Sequence, residues 1–232
     1  MRHIEGLIEQ QIRRWEVEQR GVAQGAVRPC IAISRLPGSG GDTLAARLTE
    51  RLGYALFDRE ILETVARNAG VSARLVAGLD EHVRSAIERN LVDAFSRGGL
   101  NESEYLRHLV RVVSALGERG GVVLLGRGAA LILPPTRALR IFLAAPREMR
   151  VGRFAAERGL SHQAAAAALD TLDQERREFA RHHFAIDPWD AAHYDLCLNL
   201  ATLSLEAAER FVIEALQDRF PAGARTATPA LL

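Results

Sequence analysis

The sequence predicts an α/β protein built on a parallel sheet of five strands with helices on both faces. Three observations carry this. The apolar runs are short and nearly continuous rather than alternating, as in strands covered on both sides. They alternate along the chain with segments of helical pattern. The chain has 232 residues, 48% hydrophobic and 25% charged, enough for one good core or for one domain with an insertion.

Taken in order, residues 4–19 ("IEGLIEQQIRRWEVEQ") put Ile4, Leu7, Ile8, Ile12 and Trp15 on one helical face. Such a face packs on its own domain or on a second copy of the chain, so a homodimer through this helix is one of two alternatives. Residues 1–28 are thus an amphipathic helix and linker, and the domain proper runs over 29–220. "CIAIS" is a buried strand, Gly38 to Gly41 make a turn, and Thr43 to Leu52 make a helix. "YALFD" is a second short strand ending at Asp58. Residues 59–119 read as several helices, weakest at "SRGGLNESE" (96–104). "GVVLLG", "LRIFLAA" and "YDLCLNL" supply strands three to five. Helices fill the region from Arg147 to about Phe184, where the alanine-rich "HQAAAAALD" fits an ordinary helix. "SLEAAERFVIEALQDRF" closes the domain, and 221–232 reads as a disordered tail.

Composition narrows the function classes. Net charge is +1, so the overall balance points to neither a nucleic acid nor a membrane partner. No apolar segment approaches the roughly 20 residues of a membrane helix. The N-terminus lacks a signal-peptide core, and a soluble cytoplasmic protein is expected. Cys30 and Cys197 lie in apolar runs and are expected as buried, reduced thiols. All 30 basic residues are arginine, with no lysine among the 232.

"IAISRLPGSGGDTLAARLTERL" joins a strand, a glycine-rich turn and a helix. That is the layout of a phosphate-binding loop, in which backbone N–H groups and a helix N-terminus meet the anion. Gly38, Gly40 and Gly41 permit close backbone approach, and Ser39 and Thr43 can add hydroxyl donors. Against the signature G-x-x-x-x-G-K-[ST], setting the second glycine on Gly40 puts Arg35 at the first glycine. Gly41 then stands at the lysine and Asp42 at the hydroxyl residue. Alone, the loop also fits a plain strand-to-helix turn in any α/β protein.

Three further features carry a resemblance. Gly126 and Arg127 follow the third strand. "RIFLAA" leads straight into an arginine-bearing helix, and Asn199 to Glu206 have the form N-x-x-T-L-S-x-E. From about Cys30 to Leu216 the chain resembles the cytidylate kinases, and most nearly the divergent cytidylate kinase-like branch, whose loops read SR-x-x-GSGG.

The resemblance implies a P-loop kinase-type core with helical acceptor-binding and lid regions, the lid at about 147–190. It implies a nucleoside monophosphate kinase-like enzyme that uses ATP and Mg2+ and moves the γ-phosphoryl group to CMP or a related small phosphorylated acceptor. Residues 38–43 would hold the donor, with Arg35 near them. Asp58 and Arg59 would lie beside the acceptor. Arg127 matches the arginine of the family's G-R-D, while Gly128 replaces its aspartate, the residue that contacts the acceptor sugar. Asp173 and Arg176 match the lid's D-x-x-R, and Arg153 sits at the arginine-rich start of the lid helix. Arg127, Arg153, Asp173 and Arg176 are the candidate catalytic set. Arg177 and Arg181 could join the arginines around the transferred group. Asp42 and Thr43 are the candidate metal ligands.

Phosphoryl transfer needs positioning and charge stabilisation more than covalent chemistry, and guanidinium groups match phosphate oxygens bidentately. Simpler readings stand beside these. Arg176, Arg177 and Arg181 share a helix with Glu175 and Glu178 and could form a solvated salt-bridged face. Asp58 could cap the next helix. His182 and His183 fit a solvated or packed pair better than a metal site, and Trp189 fits packing better than base stacking. The missing loop lysine would forfeit a factor of roughly a hundred or more in rate unless an arginine replaces it, Arg35 being nearest. A non-catalytic nucleotide-binding regulatory module is the alternative, and a kinase for another phosphorylated or hydroxylated acceptor is a third reading.

Overall fold

The computed structural model describes residues 28–68 and 104–221, with isolated positions between 73 and 87. The expected helix at 4–19, most of the linker, the region 96–103 and the tail from 222 lie outside the described residues. Five strands form one sheet: β1 (Cys30–Arg35), β2 (Ala55–Phe57), β3 (Val122–Leu125), β4 (Ala138–Ala144) and β5 (Leu196–Asn199), in the order β2-β3-β1-β4-β5. Every pairing is parallel, with Ile31 opposite both Val123 and Leu139.

The seven helices with defined bounds are α1 (Gly41–Leu52), α2 (Arg59–Arg67), α3 (Glu104–Arg119), α4 (Ala129–Ile132), α5 (Arg147–Arg158), α6 (His162–Phe184) and α7 (Leu205–Arg219). The four-residue α4 was not foreseen. Helix α1 begins two residues earlier than expected, at Gly41, which brings its N-terminus directly against the turn. Ser161 and Ser204 cap α6 and α7, their hydroxyls accepting from the N–H of Ala164 and Ala207; such caps stabilise by about 1 kcal/mol each.

Strand periodicity divides the core. Cys30 and Ala32 face one side of the sheet and pack with Leu106, Leu109 and Val113 of α3. Ile31 and Ile33 face the other and pack with Leu44 and Leu48 of α1 and Val212 of α7. Because the middle strands are covered on both faces, their sequences read as unbroken apolar runs. Cys30 is fully buried, which pushes its thiol up to about 12. Cys197 corrects the expectation: it is exposed, because edge strand β5 alternates and only Leu198 turns into the core.

Helices α5 and α6 make their own small core from Val151, Phe154, Ala165 and Leu169. At the other end of β5, Asp195 accepts from Arg140 and pairs with Arg219. Desolvation would raise its carboxyl, but these two arginines hold it down at about 2. Among the described residues, no helix is long and apolar enough to cross a membrane.

Candidate functional site

The strand order fixes where a ligand can enter. From β1 the chain leaves toward β2, and from β3 it crosses to β4, so a crevice opens between the C-terminal ends of β1 and β3. Such switch points are the usual ligand sites of open parallel sheets. The loop after β1 and the turn after β3 both reach it.

In the β1–α1 loop the N–H of Ser39 donates to the Leu36 carbonyl at 3.1 Å. Gly38 has φ +71°, and a Cβ there would lie 2.5 Å from the Arg150 carbonyl oxygen. Only glycine meets both conditions. Gly40 (φ 92°) caps α1 without a side-chain bond, so the N–H groups of the first turn have no partner within the helix ladder or from the cap. Ser39 is fully buried and its Oγ has no partner. An orphan hydroxyl of this kind costs about 1–3 kcal/mol, which a phosphate oxygen would relieve.

Arg35, the last residue of β1, folds back over this turn. A Cβ on Gly41 would lie 2.8 Å from its Cγ and 2.9 Å from its Cβ. Its Nη2 donates to Asp42 Oδ1 at 2.8 Å, and its side chain is only 8% exposed. The Asp42 carboxyl titrates below its ordinary range: desolvation opposes this, but Arg35 and then Arg176 outweigh it.

Beside the loop lies a cavity of about 240 Å3 lined by residues of two kinds. They are the guanidinium-bearing Arg35, Arg59, Arg127 and Arg176 and the aromatic Phe142, Phe179, Phe184 and Trp189. Two carboxylates, Asp173 and Glu175, also line it, and Asp173 is already committed to Arg150 at 2.9 Å. Positive charge is therefore in excess. Arg127 sits in the left-handed region (φ 49°), pairs with Glu63, and lies 4.8 Å over the Phe179 ring. Burial, then the nearby Arg59, push it down to about 10. Arg176 donates to the Arg35 carbonyl at 2.6 Å, and burial followed by the charge of Arg35 push it down to about 9. Both arginines hold their charge against an environment that an anion would improve.

The other expected residues are placed as follows. Arg59 lines the cavity and reaches Glu63 at 3.3 Å. Asp58 caps α2, accepting from the Ile61 N–H at 2.9 Å, and is not part of the cavity wall. Arg153 is turned onto backbone, its Nη1 on the Ser39 carbonyl (2.9 Å) and its Nη2 on the Leu200 carbonyl (3.0 Å). Arg177 bonds Asp187 at 2.5 Å and stacks 4.6 Å from the Trp189 ring; Arg181 stands 3.9 Å from the same carboxylate. Asp42 and Thr43 are exposed on the first turn of α1. His183 packs edge-on against Phe179 at 4.6 Å.

At Gly128 (φ +70°) a Cβ would lie 2.5 Å from the Phe184 ring. The place of the family's aspartate is thus filled by an aromatic edge from the end of α6. Sequence reasoning missed Phe184 and treated Trp189 as packing, yet both line the cavity. It also missed Arg150, which is buried, holds Asp173 and donates to the Pro37 carbonyl at 3.3 Å. The three-residue spacing of Arg150 and Arg153 was the available signal, since it puts both on one side of α5 facing the loop.

Comparison with known proteins agrees with this architecture. Residues 30–202 match the cytidylate kinase-like family. A cytidylate kinase of Aeropyrum pernix is 27% identical over 191 residues, covering 81% of this chain and 98% of its own. One of Methanopyrus kandleri is 27% identical over 184 residues, covering 75% and 86%. An uncharacterized protein from Eubacterium ventriosum superposes with a TM-score of 0.65 at 20% identity, over 82% of this chain and 99% of its own, which bears on the fold alone.

Proposed function

The chain belongs to the cytidylate kinase-like family, and from that premise we propose that it is a phosphotransferase of the nucleoside monophosphate kinase type, moving the γ-phosphoryl group of ATP to CMP or a related small phosphorylated acceptor. The observation that carries this reading is the excess of guanidinium groups where the glycine turn meets the switch-point crevice. A phosphate-accepting turn on one side and an arginine-lined cavity on the other suit two anionic substrates that must meet end to end.

The residues divide by reach. The first-turn N–H groups of α1 and the orphaned Ser39 hydroxyl would cradle the donor phosphates. Arg127 and Arg59 would take the acceptor's phosphate, and Arg176, between them and the loop, the charge that shifts during transfer. Asp42 and Thr43 are the protein oxygens at hand for Mg2+, which would neutralise donor charge when bound. Arg150 and Arg153 hold the loop carbonyls from α5 and act as positioning residues. With Phe184 in the aspartate's place, a sugar hydroxyl meets an aromatic edge rather than a carboxylate, so discrimination between CMP and its deoxy form should be weak.

The test is a substrate panel: purified protein with ATP and Mg2+ against ribo- and deoxyribonucleoside monophosphates and other small phosphorylated or hydroxylated acceptors, with ADP release measured. Acceptor-dependent ADP release that Arg127→Ala abolishes is the expected result. No release above background with any acceptor, under varied divalent metal, would sink the proposal. Nucleotide binding without turnover would favour the regulatory-module reading that Gly41 and Asp42 raise.

A further inference from the structure

In the usual loop signature a glycine ends the strand and a lysine enters the helix; here Arg35 ends the strand and Gly41 enters the helix. The geometry makes these two departures one. Position 41 is closed to any side chain, because the first carbon of one would collide with the Arg35 stem at 2.8–2.9 Å. The obstructing atoms are Cβ and Cγ, fixed close to the β1 backbone, and cannot swing aside cheaply. Farther out, Arg35 Nη1 would stand 2.8 Å from a Cβ on Gly126, which has φ +87°. Glycine at both positions clears a channel through which the Arg35 side chain runs from β1, across the start of α1, to the mouth of the cavity.

We propose that the Arg35 guanidinium is the loop's phosphate-contacting cation, arginine and glycine having exchanged the places that glycine and lysine hold in the usual signature. This rests on the phosphotransfer reading above. The other arginines near the loop are engaged elsewhere: Arg153 on two carbonyls, Arg150 on Asp173 and the Pro37 carbonyl. Arg176 lies next to Arg35 but is held by the Arg35 carbonyl, and so serves the cavity side. The Arg35 side chain is only 8% exposed, its Nε has no partner, and its carboxylate partner Asp42 is 72% exposed. A buried cation whose counter-ion lies in solvent is poised for a stronger anion. The chain holds no lysine that could substitute.

Arg35→Met keeps the stem over Gly41 and removes the charge. Arg35→Gly with Gly41→Lys removes both obstructing atoms, empties the channel and puts a lysine at its usual place. Two readouts are used on folded protein, checked by circular dichroism: turnover with the best acceptor of the panel, and affinity for a non-hydrolysable ATP analogue relative to AMP. Arg35→Met should lower turnover by roughly a hundredfold and weaken the analogue at least about tenfold with AMP little changed. Arg35→Gly/Gly41→Lys should recover at least about tenfold over Arg35→Gly alone. The proposal is overturned if Arg35→Met matches the parent in both readouts, or if the folded double variant does no better than Arg35→Gly. Should the parent show no turnover, the phosphotransfer reading fails by itself, and the analogue-to-AMP affinity ratio still decides for or against Arg35.

Discussion

Two glycines in this molecule stand where the family pattern carries a charged residue, and the structure treats them oppositely. At Gly41 the vacated space is filled by the stem of an arginine, so a cation remains at the loop. At Gly128 it is filled by the edge of Phe184, so a carboxylate gives way to an aromatic surface. Both substitutions are steric necessities once the neighbour is in place. One preserves charge by an altered route, while the other removes it. On the proposed reading of the site, the difference teaches that the donor side is under an electrostatic demand that the acceptor side, at this position, is not. Charge at the phosphates would then be constrained, and the surface that reads the rest of the acceptor rebuilt.

The strongest way to break that division is to remove charge from the acceptor side. Arg127 is 13% exposed, paired with Glu63 and stacked over Phe179. Arg127→Ala should lower kcat/KM for the acceptor by about a hundredfold or more, roughly 3 kcal/mol, with ATP affinity little changed. Initial rates over a grid of both substrates check this. An equal loss in affinity for ATP would show that the two sides share their cations and that the division is false.

Next in size is Gly128→Asp, which restores the family residue against Phe184. A left-handed φ of +70° and a 2.5 Å approach to the ring should together cost about 3 kcal/mol of stability, measured by urea unfolding. Adding Phe184→Ala should return part of this loss by removing the obstruction. If the folded double variant then prefers CMP to its deoxy form, the acceptor surface was indeed rebuilt at this pair. No change in preference would place sugar discrimination elsewhere.

Gly41→Ala probes the donor side with a smaller perturbation. Glycine to alanine near a helix start would ordinarily be neutral or gain up to about 1 kcal/mol. Here the methyl meets the Arg35 stem, and a loss of about 2 kcal/mol is expected instead. In an Arg35→Gly background, which removes both obstructing atoms, the sign should reverse. A double-mutant cycle on unfolding free energies measures this, and additive effects would mean that the two positions are not sterically linked.

The fold was legible because its signal is local. Buried parallel strands announce themselves as "CIAIS" and "GVVLLG", and the glycine-rich turn marks where α1 begins. The expected sheet of five parallel strands is the observed one, and even the three-residue β2 was visible in "YALFD". What the sequence hid were relations between distant or differently aimed side chains. Nothing local in "SRLPGSGG" says that Arg35 packs over Gly41, because the path depends on the space that Gly126 leaves in another strand's turn. Phe184 meets Gly128 only through the length of α6 and its termination at Ala185 (φ 53°). Arg153 lay in the expected helix, but its direction was set by the carbonyls of Ser39 and Leu200, onto which it donates. Cys197 was misread because an edge strand alternates where a central one does not.

The gentlest test of the division removes the cation that stands between its two sides. Burial and the charge of Arg35 press against the proton of Arg176, and burial with Arg59 nearby against that of Arg127. A guanidinium nevertheless keeps its proton, so both side chains stay charged in a site that an anion would improve. Arg176 donates to the Arg35 carbonyl and also lines the cavity, which sets it beside the loop as well as beside Arg127. Arg176→Met should therefore weaken ADP by about fivefold, roughly 1 kcal/mol, in calorimetric titrations. An unchanged affinity would put Arg176 wholly on the acceptor side. A loss as large as that of Arg35→Met would mean that the loop depends on two cations rather than one, and that the donor side has no charge of its own.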